Sequence, residues 1–518
     1  CDTDKDGDTL ANEVDNCPLV ANVDQMDSDV NGSGDACDPM PTVYAYDNSA
    51  FPESDSSVSY TGQTARQVLI ADMAHYMQNI LVEDTAVPVE DKVAAMSFFI
   101  YGTDADVADT LIGTYIKDSA NVTLKDSATY GDISTGKNLH KKIAGGDGEG
   151  GGETSRLIDG EFFGWDEGSP TLPIDLVNHW IQKQAELASD GVATIVVDAT
   201  GASSAAHVNV DAHGRNYRQL MQKFLMGAVN FSQGTNDYFM TNFIGTNSEG
   251  INYVAAQDGT KSYTYAEHKF DEGFGYYGAA RDGMDYTDLE ARAKSGRDEY
   301  KNGYHDSNGD GMIDLRSEYF FGHSQNCAKR DAGSASGPNP TDFSTEVMIP
   351  ILAARQILSN AANKANPELT EAENTKMQEH IHHASVAWEK CIAATAVHYV
   401  NDVLNDIAEY TNGAPASVGN FENVAKHWSE LKGFALSLQF SPKSPFRDEA
   451  VTAVDLDDLK MVLSLIGDAP VLADGSQNGV PASGSAEDAV YAYAGKLVKA
   501  RSIMQEAYGF SDHNTVTW

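Results

Sequence analysis

The sequence predicts a mainly α protein: a helical-bundle body preceded by an irregular calcium-bound repeat and carrying one inserted EF-hand-like loop. Three observations lead there. Apolar residues recur at helical spacing from about residue 60 onward, sustained strand alternation is hard to find, and residues 1–39 hold almost nothing apolar to bury. With 518 residues, 41% apolar and 22% charged, the chain can bury at least one large core, which excludes disorder as its main state. Acidic residues outnumber basic ones 77 to 35, a formal charge of −42. Such a surface repels phosphate backbones and argues against nucleic acid as a partner; it suits a chain that collects cations or stays hydrated in salt.

The head, residues 1–39, spaces its carboxylates for a hard cation. Asp2, Asp4, Asp6 and Glu13 fall at positions 1, 3, 5 and 12 of an EF-type loop, with Gly7 at the sharp turn and Asp8 offering its carbonyl. A second loop repeats the design with Asp27, Asp29, Asn31, Gly32, Ser33, Asp35 and Asp38. Alternate residues of a tight loop aim their oxygens at one centre, and a hard cation takes six to eight of them. Between the loops runs DNCPLVANVDQMDSD, followed by GDACD, and the whole segment resembles the thrombospondin type-3 repeat. The resemblance implies structural calcium and a disulfide from Cys17 to Cys37. It also reads Cys1 as the end of a preceding DAC element; a processed, lipid-anchored N-terminus is the other reading of that cysteine.

Residues 40–59 are expected as a polar connector, and residues 60–518 as an all-α body. Leu69, Met73, Tyr76, Met77 and Ile80 make one helical stripe. Leu456, Leu459, Val462, Leu463 and Ile466 make another, with Asp455 as N-cap and Gly467 past its end. Further helices are expected at 90–101, 175–189, 213–231, 344–363, 371–410, 421–438 and 486–508. The run GGDGEGGG at 145–152 reads as a flexible linker; it lacks the Lys-Ser/Thr of a phosphate loop. A third loop at 306–318 presents Asp306, Asn308, Asp310, Gly311, the carbonyl of Met312, and Asp314, with Glu318 one residue later than the usual bidentate position. Ile313 is placed to pack it against a neighbour. No stretch approaches the roughly 18 apolar residues that cross a bilayer, so a soluble chain is expected.

Five cysteines leave one over. With Cys1 set aside, the obvious division is Cys17 with Cys37 and Cys327 with Cys391; the alternative leaves Cys327 and Cys391 as buried free thiols.

Candidate chemistry centres on histidines. Trp388, Cys391, Thr395 and His398 share a helix face, so His398 is expected toward the core with Asp402 holding its ring. His427 and Glu430 in HWSE stand at i and i+3, where an imidazole and a carboxylate can meet beside a helix. His398, His380, His382, His383, His268, Asp271 and Glu272 are the candidates to complete an iron or zinc site; a hydrogen-bonded polar seam is the alternative. No GxSxG, HExxH or CxxC motif is present.

The segments TAVHYVND, HWSELKGFALSLQFSP, GQTARQVLIADM, FGYYG and DSNGDGMIDLRSEY resemble a bacterial domain of unknown function, number 4856, from about Tyr44 to the C-terminus. The resemblance implies an exported calcium-binding protein linked to the helical imelysin proteins of iron uptake. The imelysin signature is GxHxxE, and Ala425 takes its glycine position, so peptidase activity is not carried over. The expectation is a calcium-stabilised, non-enzymatic binding protein of the cell surface or periplasm that serves an outer-membrane transporter. A structural or adhesive subunit of an extracellular assembly, or a hydrolase using the HxxE pair, are the alternatives.

Overall fold

The computed structural model describes residues 3–81, 86–103, 106–107, 123–145, 157–189, 192–244, 253–451 and 453–518. Cys1, Asp2 and all but Gly145 of the 145–152 run lie outside these residues. The chain is mainly α, and its one sheet among the described residues is a two-stranded hairpin, β1 (Ile195–Val197) antiparallel to β2 (Ser203–Ala205). The principal helices are α1 (Thr61–His75), α2 (Val89–Tyr101), α3 (Pro173–Leu187), α4 (Tyr217–Leu225), α5 (Tyr265–Tyr277) and α6 (Gly322–Ser334). They continue with α7 (Phe343–Ala362), α8 (Glu371–Ile407), α9 (Val418–Ser437), α10 (Leu456–Ile466), α11 (Ala486–Tyr508) and α12 (Asp512–Thr517).

Helix ends follow local chemistry. The Asp455 carboxylate accepts the Asp457 and Asp458 amides (2.9 and 3.2 Å) to start α10, and Gly467 ends it at φ +74°. At the start of α8, Thr370 and Glu373 cap each other's backbone amides. This helix has 37 residues, so at a rise of about 1.5 Å each it spans about 55 Å. It is the spine of the body, with α6, α7, α9 and α11 packed on it. One continuous core runs from Tyr44 to Trp518.

Three of these principal helices have no counterpart in the apolar spacing: α5, α6 and α12. In α5 the periodicity is interrupted by glycines that permit close approach. A Cβ on Gly273 would meet the Phe239 ring at 2.4 Å, and one on Gly275 would meet Tyr60 Cβ at 2.7 Å. In α6 the buried face is largely polar, with His323, Arg330 and Asp331.

The stretch expected as a polar connector enters the core instead. Tyr44 is fully buried and stacks on Phe274 at 3.9 Å between ring centres; Tyr46 and Ser57 are buried beside it. Its anchor is an ion cluster. The Arg355 guanidinium donates to Asp271 (2.8 Å), Glu267 (3.3 Å) and the Ser57 hydroxyl (3.1 Å), and the Tyr44 hydroxyl donates to Asp271 (2.7 Å). Arg355, Glu267 and Asp271 are all at 0% exposure, so each charge depends on its partners.

A further buried acid lies on the spine helix. Glu389 of α8 accepts the Ser444 and Tyr508 hydroxyls (2.6 and 2.7 Å), and burial pushes its carboxyl up to about 7. Between the ordinary carboxylate value and 7, the unfolded carboxyl ionises before the folded one, so stability falls as pH rises through this window and the loss is complete above it. Glu389→Gln keeps an oxygen for both hydroxyls and removes the charge. At pH 8 the variant should be more stable by up to about 3 kcal/mol, and below pH 4.5 the difference should vanish. Denaturant midpoints of both proteins across pH check this; parallel curves would contradict it.

Candidate metal centres

In the head, oxygens of Asp4, Asp6 and Asp8 lie within 4.8 Å of one another, and this is the one three-ligand group among the described residues. Backbone amides set the geometry. Asp4 accepts the Gly7 and Thr9 N–H groups (2.7 and 3.1 Å), and Gly7 turns the chain at φ +81°. Asp8 brings its carboxylate to the group, where the sequence spacing had offered its carbonyl; this side chain is buried and accepts the Leu10 and Asn22 amides (2.9 and 3.0 Å). Burial, then the charges of Asp8, Asp15 and Asp4, raise the Asp6 carboxyl. Its Oδ2 is buried without a hydrogen-bond partner. An orphaned carboxylate oxygen among like charges fits a calcium ion, a hard cation that takes oxygen ligands. Glu13 is exposed and stands outside the triad.

The Cys17–Cys37 disulfide closes the head behind these loops. Asp15, which the EF-type spacing leaves unassigned, is buried there and accepts the Cys17 amide and the Gln25 side chain (2.8 and 3.0 Å).

In the second loop Asp27 accepts the Asn31 and Gly32 amides (3.3 and 3.0 Å), and the Asn31 side chain donates to Asp29 and Asp38 (3.0 and 2.8 Å). Ser33 donates its amide to Asn31 (2.8 Å), and Asp35 turns onto Ser28. Asp29 faces the body. It is 2% exposed, accepts the Asn360 side chain of α7 at 2.7 Å, and is pushed up to about 6 by burial and by Asp27. Beside it, His380 Nε2 of α8 meets the Ser28 carbonyl at 2.8 Å.

The third loop has the same turn chemistry. Asp306 accepts the amides of Gly309, Asp310 and Gly311 (2.8, 3.1 and 2.8 Å), Asn308 accepts the Asp310 amide (2.9 Å), and Asp310 accepts that of Met312 (2.9 Å). Ile313 pairs with Leu124 through backbone bonds of 2.9 Å to Thr123 and Lys125, so it does pack the loop against a neighbour. The Glu318 carboxylate is turned back into the loop, where it accepts Ser307, Asn308 and the Asp314 amide. Two side-chain cations already sit on the acids: Lys125 on Asp310 and Arg316 on Asp314, each at 2.6 Å.

The histidines are dispersed. His398 Nε2 lies 3.3 Å from Asp402, as the spacing predicts, and the same carboxylate faces His427 Nε2 at 3.8 Å. Asp406, one turn further along α8, accepts His427 Nδ1 at 2.7 Å. The sequence reading stops at Asp402 and misses Asp406, although the i, i+4, i+8 stripe His398–Asp402–Asp406 places it on the same helix face. Burial, then Arg330, lowers His398 to about 3, so its ring is neutral. Glu430 turns to Lys223 of α4 (3.5 Å) and not to a shared centre with His427. His268 holds the Ser59 carbonyl (2.9 Å) and faces Glu272 at 3.9 Å, while His383 is exposed beside a groove between α7 and α8. His398 and His427 thus share Asp402, Glu430 is buried toward α4, and His383 and His268 lie apart from them.

Residues 44–290 match the family model described as Domain of unknown function (DUF4856), and residues 1–25 match that of the Thrombospondin type 3 repeat. The DUF4856 match opens at Tyr44, the residue at which the chain enters the core, and ends before the loop at 306–318 and before His427. The type 3 repeat match covers the Asp4–Asp6–Asp8 group and ends before the loop at 27–38. Neither the curated proteins nor the solved structures returned a match. The repeat suggests calcium binding, and together with two disulfides it suggests a secreted or extracellular setting. No helix among the described residues is long and apolar enough to cross a membrane.

Proposed function

We propose that this is an exported, calcium-stabilised binding protein whose type 3 repeat is a clamp on the DUF4856 body. The observation that carries the reading is the docking of Asp29 against Asn360 of α7, next to the Ser28–His380 contact on α8. A segment with so little apolar surface holds a fixed shape when cations neutralise its carboxylates, and that binding energy becomes folding energy. Calcium at Asp4, Asp6 and Asp8 orders the head, and the ordered head braces the adjoining ends of α7 and α8. The body is then free to present a cargo at the cell surface. An iron or zinc cargo at His427 is less favoured, because Asp406 already holds one ring nitrogen and Glu430 is turned to Lys223.

Calcium titrated into chelator-treated protein tests the proposal. At calcium a hundredfold above its dissociation constant the calorimetric transition of the head should gain about 2.7 kcal/mol, and residues 3–38 should become protease-resistant. Asp6→Asn with Asp8→Asn should lose both responses. No heat on calcium addition, with an unchanged cleavage pattern, would refute the clamp.

A further inference from the structure

The outer edge of β1 is unpaired. In the hairpin the Ala206 amide donates to the Thr194 carbonyl (2.8 Å) and the Asp198 amide to the Ala202 carbonyl (2.9 Å), and the register sets Val196 opposite Ser204 between them. Every second residue of an antiparallel ladder bonds its partner strand, so residues 194, 196 and 198 face β2, and the N–H and C=O groups of Ile195 and Val197 point the other way. Among the described residues none of those four groups has a hydrogen-bond partner. The same edge does accept a strand where one is offered. The Ala199 amide, next in the alternation, donates to the Pro415 carbonyl (2.9 Å), so one residue of the chain pairs there and the two before it are left open.

A groove runs along this edge. Residues 194–197 all line it, although successive side chains of a strand point to opposite faces, so what they share with the groove is the edge of the strand. Its other walls are Tyr410 after α8, Pro415, Phe421 of α9 and Leu472 after α10, and its volume is about 230 Å³. That is below the roughly 300 Å³ at which small-molecule pockets begin, and it suits single side chains entering in turn. Phe421 and Leu472 pack around Val196, the inward residue of β1, so a strand added beside β1 would send its own inward side chain onto the same apolar surface. Among the described residues the one charged group lining the groove is Asp474, which is exposed. Burial, then the charges of Asp406 and Asp474, raise the Tyr410 hydroxyl on the same wall. Free backbone groups at every second residue select an extended chain, the floor selects apolar side chains, and the acidic rim selects a cation beside them.

We propose that an extended peptide segment, with a lysine or arginine next to its apolar residues, adds to the outer edge of β1 as a third strand. The site is separate from the calcium loops and does not depend on the clamp. The probe is a fluorescein-labelled heptapeptide, KTVTVTK, titrated with the full, calcium-loaded chain and followed by fluorescence anisotropy. It should bind saturably. Two N-methylated forms, each with one alternate set of amides blocked, keep its charge and side chains; the form blocked on the edge that meets β1 should bind about tenfold or more weakly, as expected for losing two hydrogen bonds. Glutamates in place of the terminal lysines should weaken binding by about threefold or more at low salt. In the protein, Val197→Pro removes an outward N–H and leaves the Val196 and Asp198 amides to β2, so affinity should fall by about tenfold, whereas Val197→Thr should leave it unchanged. Asp474→Asn, at an exposed position, should lower affinity for the lysine peptide by about threefold. The proposal is overturned if the peptide does not bind, if both N-methylated forms bind as it does, which would mean attraction to the acidic surface alone, or if whichever of Val197→Pro and Asp474→Asn remains folded binds it like the parent. Self-association in sedimentation equilibrium that Val197→Pro abolishes would give the edge to a second copy of the chain, and would overturn it too.

Discussion

Arg355→Met should destabilise the protein by about 3–5 kcal/mol, the cost of leaving buried charge without its partner. Arg355 is fully buried and binds Asp271 and Glu267, both also at 0% exposure, while its guanidinium lies 4.6 Å from the Tyr46 ring centre. Burial alone raises the Asp271 carboxyl, and the neighbouring guanidinium is the largest influence holding it down. Without Arg355, Asp271 must take up a proton or stay charged in an apolar setting. Either outcome also loosens Tyr44, Ser57 and Ser59, which are tied to the cluster. Pairing Arg355→Met with Asp271→Leu should recover part of the loss, because Glu267 keeps Thr264 and Asn48 as donors. Denaturant unfolding in calcium measures both variants. A loss under about 1 kcal/mol in the single variant would show that the cluster is not what anchors this segment.

Cys327→Ala with Cys391→Ala should cost about 2–4 kcal/mol. The disulfide joins α6 to α8 across a sequence separation of 64, and both cysteines are at 0% exposure. By loop-closure entropy alone such a cross-link restricts the unfolded chain by about 4 kcal/mol, with native-state relaxation reducing the measured value. The helices should remain, because the core around Trp388, Phe231 and Tyr277 is intact without the sulfur atoms. Burial also predicts slow reduction: thiol-specific labelling in dithiothreitol should follow global unfolding and not precede it. Rapid labelling of Cys327 in the folded protein, or an unchanged melting temperature of the double variant, would contradict this assignment. The buried-thiol alternative for these two cysteines correctly anticipates their burial and misses their bond, since spacing carries no information on whether two helices bring sulfur atoms together.

What was legible beforehand depended on how far apart the interacting residues lie. The span 486–508 coincides with α11, and Asp455 and Gly467 bracket α10, because a cap and a turn act within a few residues. The Asp306 loop is similar: alternating acids and glycines produce its turns without help from elsewhere. By contrast, α5 was hidden by Gly273 and Gly275, whose purpose is to admit Phe239 and Tyr60 from other segments. Tyr44 and Tyr46 read as part of a polar connector because the apolar surface that receives them comes from α5 and α7. His427 and Glu430 have the spacing of a ligand pair, yet Asp406 takes one and Lys223 the other.

Order along the chain was therefore sufficient for the helical class, the ends of α10 and α11 and the acidic turns, all governed by hydrogen bonds and periodicities that close within one or two turns. Packing settled the rest: which buried carboxylate meets Arg355, which sulfur atoms join, where the head docks, and what lies beside the outer edge of β1. Those outcomes rest on burial and on charge pairs between residues far apart in the chain, and a charge's worth depends on the partner and the dielectric that folding places around it.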